Sequence, residues 1–210
     1  MIRKDLKEFI KTIPSNVTLV AATKYVDELD MMDLFNAGIT NFGENRVDSF
    51  IRKYYNLINL KPTWHFIGHL QTNKAKDVIN KIDFLHSLDS VKLAQMISKY
   101  RETPLKCFVE ISLNNEESKN GIQIEKTEEF LNQIINLPNV EIVGFMGMSR
   151  AESSHEQLIE QFNKLISLRD NLEKIFRRKF PYLSMGMSGD YLEAIECGST
   201  HIRLGRILFK

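Results

Sequence analysis

Eight short apolar or β-branched runs punctuate the chain, at 17–23, 39–42, 64–67, 84–88, 106–112, 141–148, 182–187 and 201–209. Each has the length of a strand, and the stretches between them repeat apolar residues every three or four positions, the spacing of one helical face. Those stretches run 27–37, 44–57, 72–81, 90–100, 126–136, 154–176 and 190–197, and a shorter helix is expected at 5–12. In the longest, Leu158, Phe162, Leu165, Leu168 and Leu172 form an apolar stripe, with Glu156, Glu160, Lys164 and Arg169 on the wet side. Start signals agree with these limits. Ser90 precedes one helix, Thr127 with Glu128 and Glu129 opens another, and Ser154 with Gln157 has the spacing of a capping box.

Strand and helix thus alternate from end to end, with short connections and no Pro/Gly/Ser-rich linker. That order predicts parallel strands covered by helices. Eight strands predict a single α/β domain over residues 1–210, folded as a closed (β/α)8 TIM barrel. An open doubly wound sheet is the alternative that the pattern leaves standing. The longest polar interruption, 114–121, has the composition of a loop at a functional face.

Charge narrows the function classes. Lys and Arg total 28 and Asp and Glu 27, a formal net charge of +1 with both signs interspersed. No pull toward nucleic acid or a membrane surface follows from that balance. Cys107 and Cys197 stand far apart, without a CxxC or a Cys/His ligand spacing, so neither a zinc site nor a disulfide framework is indicated. The N-terminus carries charges where a signal peptide needs an apolar stretch, and no apolar run of about eighteen residues occurs. A cytoplasmic protein is the expectation.

The chemistry-bearing residues lie at the two ends. Lys24 closes the first run, and on a strand Thr18, Val20 and Ala22 would share its face. Above such small apolar residues an ammonium would be partly desolvated, which makes the amine a better nucleophile toward an aldehyde. Near the other end, strand alternation puts Ser184, Gly186 and Ser188 on one face and Leu183, Met185 and Met187 on the other. That segment leads through Gly189 and Asp190 into a helix whose free N–H groups suit an anion. In the last run Arg203 and Gly205 share a face, and Arg206 follows with opposite parity. In barrels the loops after the seventh and eighth strands frequently form a phosphate site, at the end where Lys24 also emerges. An amine beside an anion cradle suits an aldehyde that carries a phosphate, and pyridoxal 5′-phosphate (PLP) is the commonest such cofactor. A plainer alternative is an ordinary phosphorylated metabolite, with Lys24 as a counter-charge.

Several segments resemble one family. They are Ala22-Thr-Lys24, Phe42-Gly-Glu-Asn45, the block from Trp64 to Lys74, His86-Ser-Leu-Asp89, Glu117-Ser-Lys-Asn-Gly121, Gly144-Phe-Met146, Ser184-Met-Gly-Met-Ser188 and Arg203-Leu-Gly205. Their order from about Val17 to Phe209 is similar to that of the YggS/PROSC family of PLP homeostasis proteins. The resemblance implies an alanine-racemase-type barrel, a fold type III PLP protein, without the racemase's C-terminal β domain. It further implies that Lys24 holds PLP as a Schiff base and that Ser188 and Gly205, with Ser184, hold the phosphate. Arg203 would face the pyridine nitrogen, and Asn45 would lie near the cofactor. An arginine there, in place of a carboxylate, keeps the ring nitrogen largely unprotonated and weakens the cofactor as an electron sink. Where the family commonly has a small hydroxyl residue after Gly205, this chain has Arg206. Parity aims its side chain outward, so a backbone contact to the phosphate is expected.

The resemblance implies a carrier, not an enzyme, one that buffers PLP for PLP-dependent apo-enzymes. A monomer is the expected state, with neither nucleic acid nor membrane as partner. The alternative is a small PLP-dependent amino-acid racemase. Racemisation needs a base on each face of the substrate α-carbon, and the related racemases supply a tyrosine from their extra domain across a dimer interface. None of the six tyrosines here is an evident substitute. Other candidates read as structural: His65 and His69 as satisfied core or supporting histidines, Glu116 and Glu117 as solvated, and Met146, Met148, Met185 and Met187 as packing.

Overall fold

The structure, a computed structural model, describes residues 2–113 and 120–209. Its strands are β1 (Thr18–Ala22), β2 (Asn41–Glu44), β3 (Thr63–Phe66), β4 (Phe84–Leu88), β5 (Leu105–Ser112), β6 (Ile122–Gln123), β7 (Val140–Gly147), β8 (Tyr182–Ser184) and β9 (His201–Leu204). All pair in parallel. Neighbours follow chain order, β4 pairs with β5, and β1 pairs with both β2 and β9, so the ring is closed and the first and last strands share a seam. β6 is a two-residue addition beside the end of β5, outside the ring of eight. Closure excludes the open doubly wound sheet.

The helices are α1 (Leu6–Lys11), α2 (Glu28–Asn36), α3 (Val47–Asn56), α4 (Ala75–Val78), α5 (Val91–Tyr100), α6 (Thr127–Ile134), α7 (His155–Phe176) and α8 (Tyr191–Glu196). The stripe on α7 is buried throughout, from Leu158 to Leu172, and each leucine removed from water contributes roughly 1.5–3 kcal/mol. Its capping box forms: Gln157 N–H donates to Ser154 Oγ, and Ser154 N–H donates to Gln157 Oε1 at 2.8 Å. Ser90 caps α5 through Leu93 N–H. Thr127 does not cap α6. A 3-10 turn at Ile124–Lys126 precedes that helix, and the Thr127 hydroxyl turns back to the Gln123 carbonyl.

Other limits shift for local reasons. The helix expected from residue 44 begins at Val47, because Glu44 completes β2 and Arg46 is extended. The helix expected at 72–81 is a 3-10 turn followed by the four residues of α4. The run 201–209 stops being a strand at Leu204 and ends in a 3-10 turn, Arg206–Leu208. Of the polar interruption at 114–121, residues 114–119, with Glu116 and Glu117, lie outside the described residues.

The barrel interior is a packed stack of rings, not a pore. His65 stacks on Phe84 at 4.7 Å, His86 stacks on Phe108 at 4.4 Å, and His201 meets Phe108 and Tyr182 edge-on. Met146 and Val143 pack against Phe108 in the same interior cluster. A parallel barrel brings the C-terminal ends of all its strands to one face, so β1, β8 and β9 deliver the ends of the chain to one place. Among the described residues no helix is long and apolar enough to cross a membrane, and no three His, Cys, Asp or Glu side chains cluster as a metal site.

Candidate functional site

A cleft of about 1130 Å³ opens at that face. Lys24, Ser188, Arg203, Gly205 and Arg206, expected to act together, all line it. Lys24 is exposed there, so the desolvation expected for it is not present. β1 ends at Ala22, two residues earlier, and Lys24 and Tyr25 form a turn closed by Val26 N–H donating to Thr23 O at 3.0 Å. Lys24 Nζ lies 4.8 Å from the centre of the neighbouring Tyr25 ring, itself 88% exposed.

The backbone ahead of Lys24 is held from beneath. Thr23 N–H donates to Gly43 O at 3.0 Å, and the Thr23 hydroxyl donates to Glu44 Oε1. Lys53, on α3, extends its ammonium to Thr23 O at 2.6 Å and to Glu44 Oε1 at 2.7 Å, while Ser49 donates to Glu44 Oε2. Both charged groups are buried, with side-chain exposures of 1% and 0%. A buried ion pair persists only where hydrogen bonds satisfy it, and here they anchor the last carbonyl before Lys24. Periodicity missed this pair; the available signal was Lys53 on the apolar stripe of α3, between Phe50 and Leu57.

The anion cradle is formed by two backbone turns. Met185 N–H still pairs with His201 O after β8 ends, and Gly186 then adopts φ +96°. A Cβ on Gly186 would stand 2.6 Å from Ala194 Cβ, so glycine lets α8 pack close. Asp190 fixes the loop by accepting from Met187 N–H at 2.6 Å and from the Ser149 hydroxyl. The N–H groups of Gly205 and Ile207 both point at Ser188 Oγ, at 3.2 and 3.4 Å. Leu183 and Met185 are buried as their parity requires, whereas Met187 is 38% exposed and lines the cleft.

Two expected residues sit elsewhere. Ser184 is fully buried beneath the cleft, with its hydroxyl between Arg203 and His86. Asn45 follows β2, and its Oδ1 is buried with no hydrogen-bond partner among the described residues. Its backbone is packed so tightly against the next loop that a Cβ on Gly68 would meet Asn45 O at 2.4 Å. His65 is interior, as expected, but His69 is half-exposed and bonds Asp89 at 2.9 Å.

Burial sets the charge states below the cleft. It lowers the Arg203 guanidinium to about 10, against the pull of Asp190 and Glu110, so Arg203 stays cationic at neutral pH. It holds His65 and His86 well below the ordinary histidine value and brings His201 down to about 4. It raises Glu110, on β5, to about 7, with Asp89 adding to the effect. Glu110 lies inside the apolar run 106–112, whose pattern does not set it apart.

A pH prediction follows. The buried histidines are neutral in the folded chain and gain protons near 6.5 when unfolded, so stability is lost as pH falls below about 6.5. His201 alone should cost about 2 kcal/mol by pH 5, and His65 and His86 act in the same sense. Glu110 opposes them, because its raised value favours the folded state as pH falls from about 7 toward 4.5. With three groups against one, the urea midpoint should drop between pH 7 and pH 5. A flat profile would contradict neutral buried rings.

The sequence matches the family model described as alanine racemase, N-terminal domain, over residues 2–210. It is 38% identical over 194 residues to the pyridoxal phosphate homeostasis protein of Aquifex aeolicus, covering 91% of this chain and 85% of that one. The chain belongs to the pyridoxal phosphate homeostasis protein family. Among solved structures, PipY of Synechococcus elongatus with PLP bound, 28% identical, superposes on this homeostasis-family chain with a TM-score of 0.89, covering 98% and 100% of the two chains. Alanine racemase of Clostridium difficile shares the fold, with a TM-score of 0.81 at 16% identity, but the match covers 57% of the racemase chain.

Proposed function

We propose that this chain is a PLP-binding protein of PLP homeostasis, and that it carries the cofactor in the cleft on Lys24. The observation that carries the reading is one cleft with a primary amine, a pair of backbone N–H groups converging on Ser188, and the Arg203 guanidinium. The residues fit the cofactor. Ser188 keeps its hydroxyl hydrogen free at the cradle, and a Cβ on Gly205 would come no closer than 3.6 Å to Ala22, so space remains beside it. When bound, PLP supplies an aldehyde for covalent attachment and a phosphate for anchorage. Lys24 is the amine for the aldehyde. Ser188, Gly205 and the Arg206 backbone hold the phosphate. Arg203 donates to the ring nitrogen without surrendering its proton.

Carriage and not racemisation is favoured by the names of the relatives. Tyr25 borders the cleft but lies against Lys24 itself, on the lysine's own side. The proposed clients are PLP-dependent apo-enzymes in the cytosol. A monomer is the proposed state. The test is the absorption spectrum of the protein mixed with PLP, then borohydride reduction and peptide mapping. A label on Lys24, and recovery of activity when the loaded protein meets a PLP-dependent apo-enzyme, is the expected result. A label elsewhere would sink the assignment.

The cradle gives a second prediction. Ser188→Ala with Gly205→Val should weaken PLP binding by on the order of a few kcal/mol, since a hydrogen bond to a charged group is lost and a branched side chain enters the phosphate's space. Because Gly205 has room for a Cβ, the loss should come without a loss of fold. Arg206→Thr should cost less than about tenfold, or 1.4 kcal/mol, if the backbone alone serves the phosphate. Equilibrium titration decides both.

A further inference from the structure

A continuous line of hydrogen bonds runs through the barrel below Arg203. Arg203 Nη1 donates to Ser184 Oγ, which lies 2.8 Å from His86 Nδ1. His86 Nε2 lies 2.9 Å from His65 Nδ1, and His65 Nε2 lies 3.0 Å from Asn41 Oδ1, at the start of β2. We propose that Ser184, His86 and His65 form a one-way hydrogen-bond array that fixes Arg203, and that Ser184 is therefore a positioning residue and not a phosphate ligand.

The direction follows from counting hydrogens. A guanidinium has donors only, so Ser184 Oγ must accept from Arg203. A serine has one hydrogen, and this side chain is fully buried, where an unused donor is costly. The acceptor within reach is His86 Nδ1. His86 must then carry its proton on Nε2 and give it to His65 Nδ1, and His65 in turn carries its proton on Nε2 and gives it to Asn41 Oδ1. Burial keeps both rings neutral, as this pattern requires. Ring stacking on Phe84 and Phe108 fixes their planes. His201 stands outside the line, with its Nδ1 bonded to Thr200.

Two consequences separate the serines of the Ser184–Ser188 segment. Ser184 has its hydrogen committed downward and a lone pair committed to Arg203, so nothing is left for an anion. Ser188 receives two backbone N–H groups and keeps its own hydrogen for a ligand. With Nη2 also donating to Gly147 O at 3.2 Å, Arg203 is held from two strands. The inference rests on the PLP reading only for what Arg203 faces.

The test has one arm that needs no cofactor. In protein with ¹⁵N-labelled histidine at pH 7, His65 and His86 should both be neutral Nε2–H tautomers. A Nδ1–H tautomer or a cationic ring at either position overturns the array, whatever the variants do. In the second arm, Ser188→Ala should weaken inorganic phosphate binding about fivefold, the worth of about one hydrogen bond. Ser184→Ala should leave phosphate affinity within about twofold, yet shift the absorption spectrum of bound PLP, because Arg203 loses its acceptor. Equal phosphate losses in the two variants, or an unshifted spectrum in Ser184→Ala, overturns the positioning role. If the unsubstituted protein retains no PLP, the functional reading fails, and the tautomers alone decide the array.

Discussion

Lys24→Ala should yield a folded protein that no longer keeps PLP through borohydride reduction, with loss of the visible absorbance of the loaded form. The side chain is exposed beyond the end of β1, so its removal opens no cavity and leaves no buried group unpaired. Substitutions at such positions ordinarily change stability by about 0.5 kcal/mol or less. The phosphate cradle and Arg203 do not depend on it, so non-covalent binding should persist at reduced affinity. A normal absorbance band in the variant, or a thermal midpoint far below that of the parent, would remove Lys24 from its assigned role.

The second large effect is expected two layers deeper. Lys53→Ala leaves the Glu44 carboxylate buried without its cation and the Thr23 carbonyl with Val26 N–H alone of its two donors. Breaking one side of a buried pair costs about 3–5 kcal/mol, because the remaining charge keeps its desolvation penalty. At roughly 2–4 °C per kcal/mol for a domain of this size, the thermal midpoint should fall by about 10 °C. Replacing both members with apolar residues of similar volume, Glu44→Leu with Lys53→Met, should recover much of the stability. PLP attachment should recover less, since the carbonyl ahead of Lys24 keeps Val26 N–H but lacks the Lys53 ammonium. If the double variant attaches PLP as fast as the parent, the clamp serves stability alone.

The barrel was legible because its strands and helices differ in period, and α7 shows why. Five apolar residues on one stripe and a capping box at its head leave little freedom in where that helix begins or which face it buries. What could not be read were contacts made by closure. Lys53 stands among apolar neighbours on α3, yet its partner comes from the end of β2, and no periodicity pairs a helix position with a strand end. His86 sits inward by alternation, but its bond to Ser184 crosses the barrel from β4 to β8. Strand parity placed Ser184, Gly186 and Ser188 on one face and so suggested one shared role. The backbone turn at Gly186 separates them into two layers. The early stop of β1 likewise leaves Lys24 in solvent, which alternation along an assumed longer strand could not show.

The seam between β1 and β9 has a bearing on how the chain acquires its cofactor during synthesis. Lys24 emerges early, Arg203 lies in the last strand to appear with Gly205 just after it, and the two ends become neighbours only when Val20 pairs with Arg203. Domains form their long-range pairings after their local ones, since loop closure over most of the chain is the slowest contact to gain. A barrel whose ring has not shut therefore lacks the cleft that these residues line together. Once shut, a ligand that touches both strands acts as a clasp across the joint, and its binding free energy adds directly to the resistance of that joint to opening.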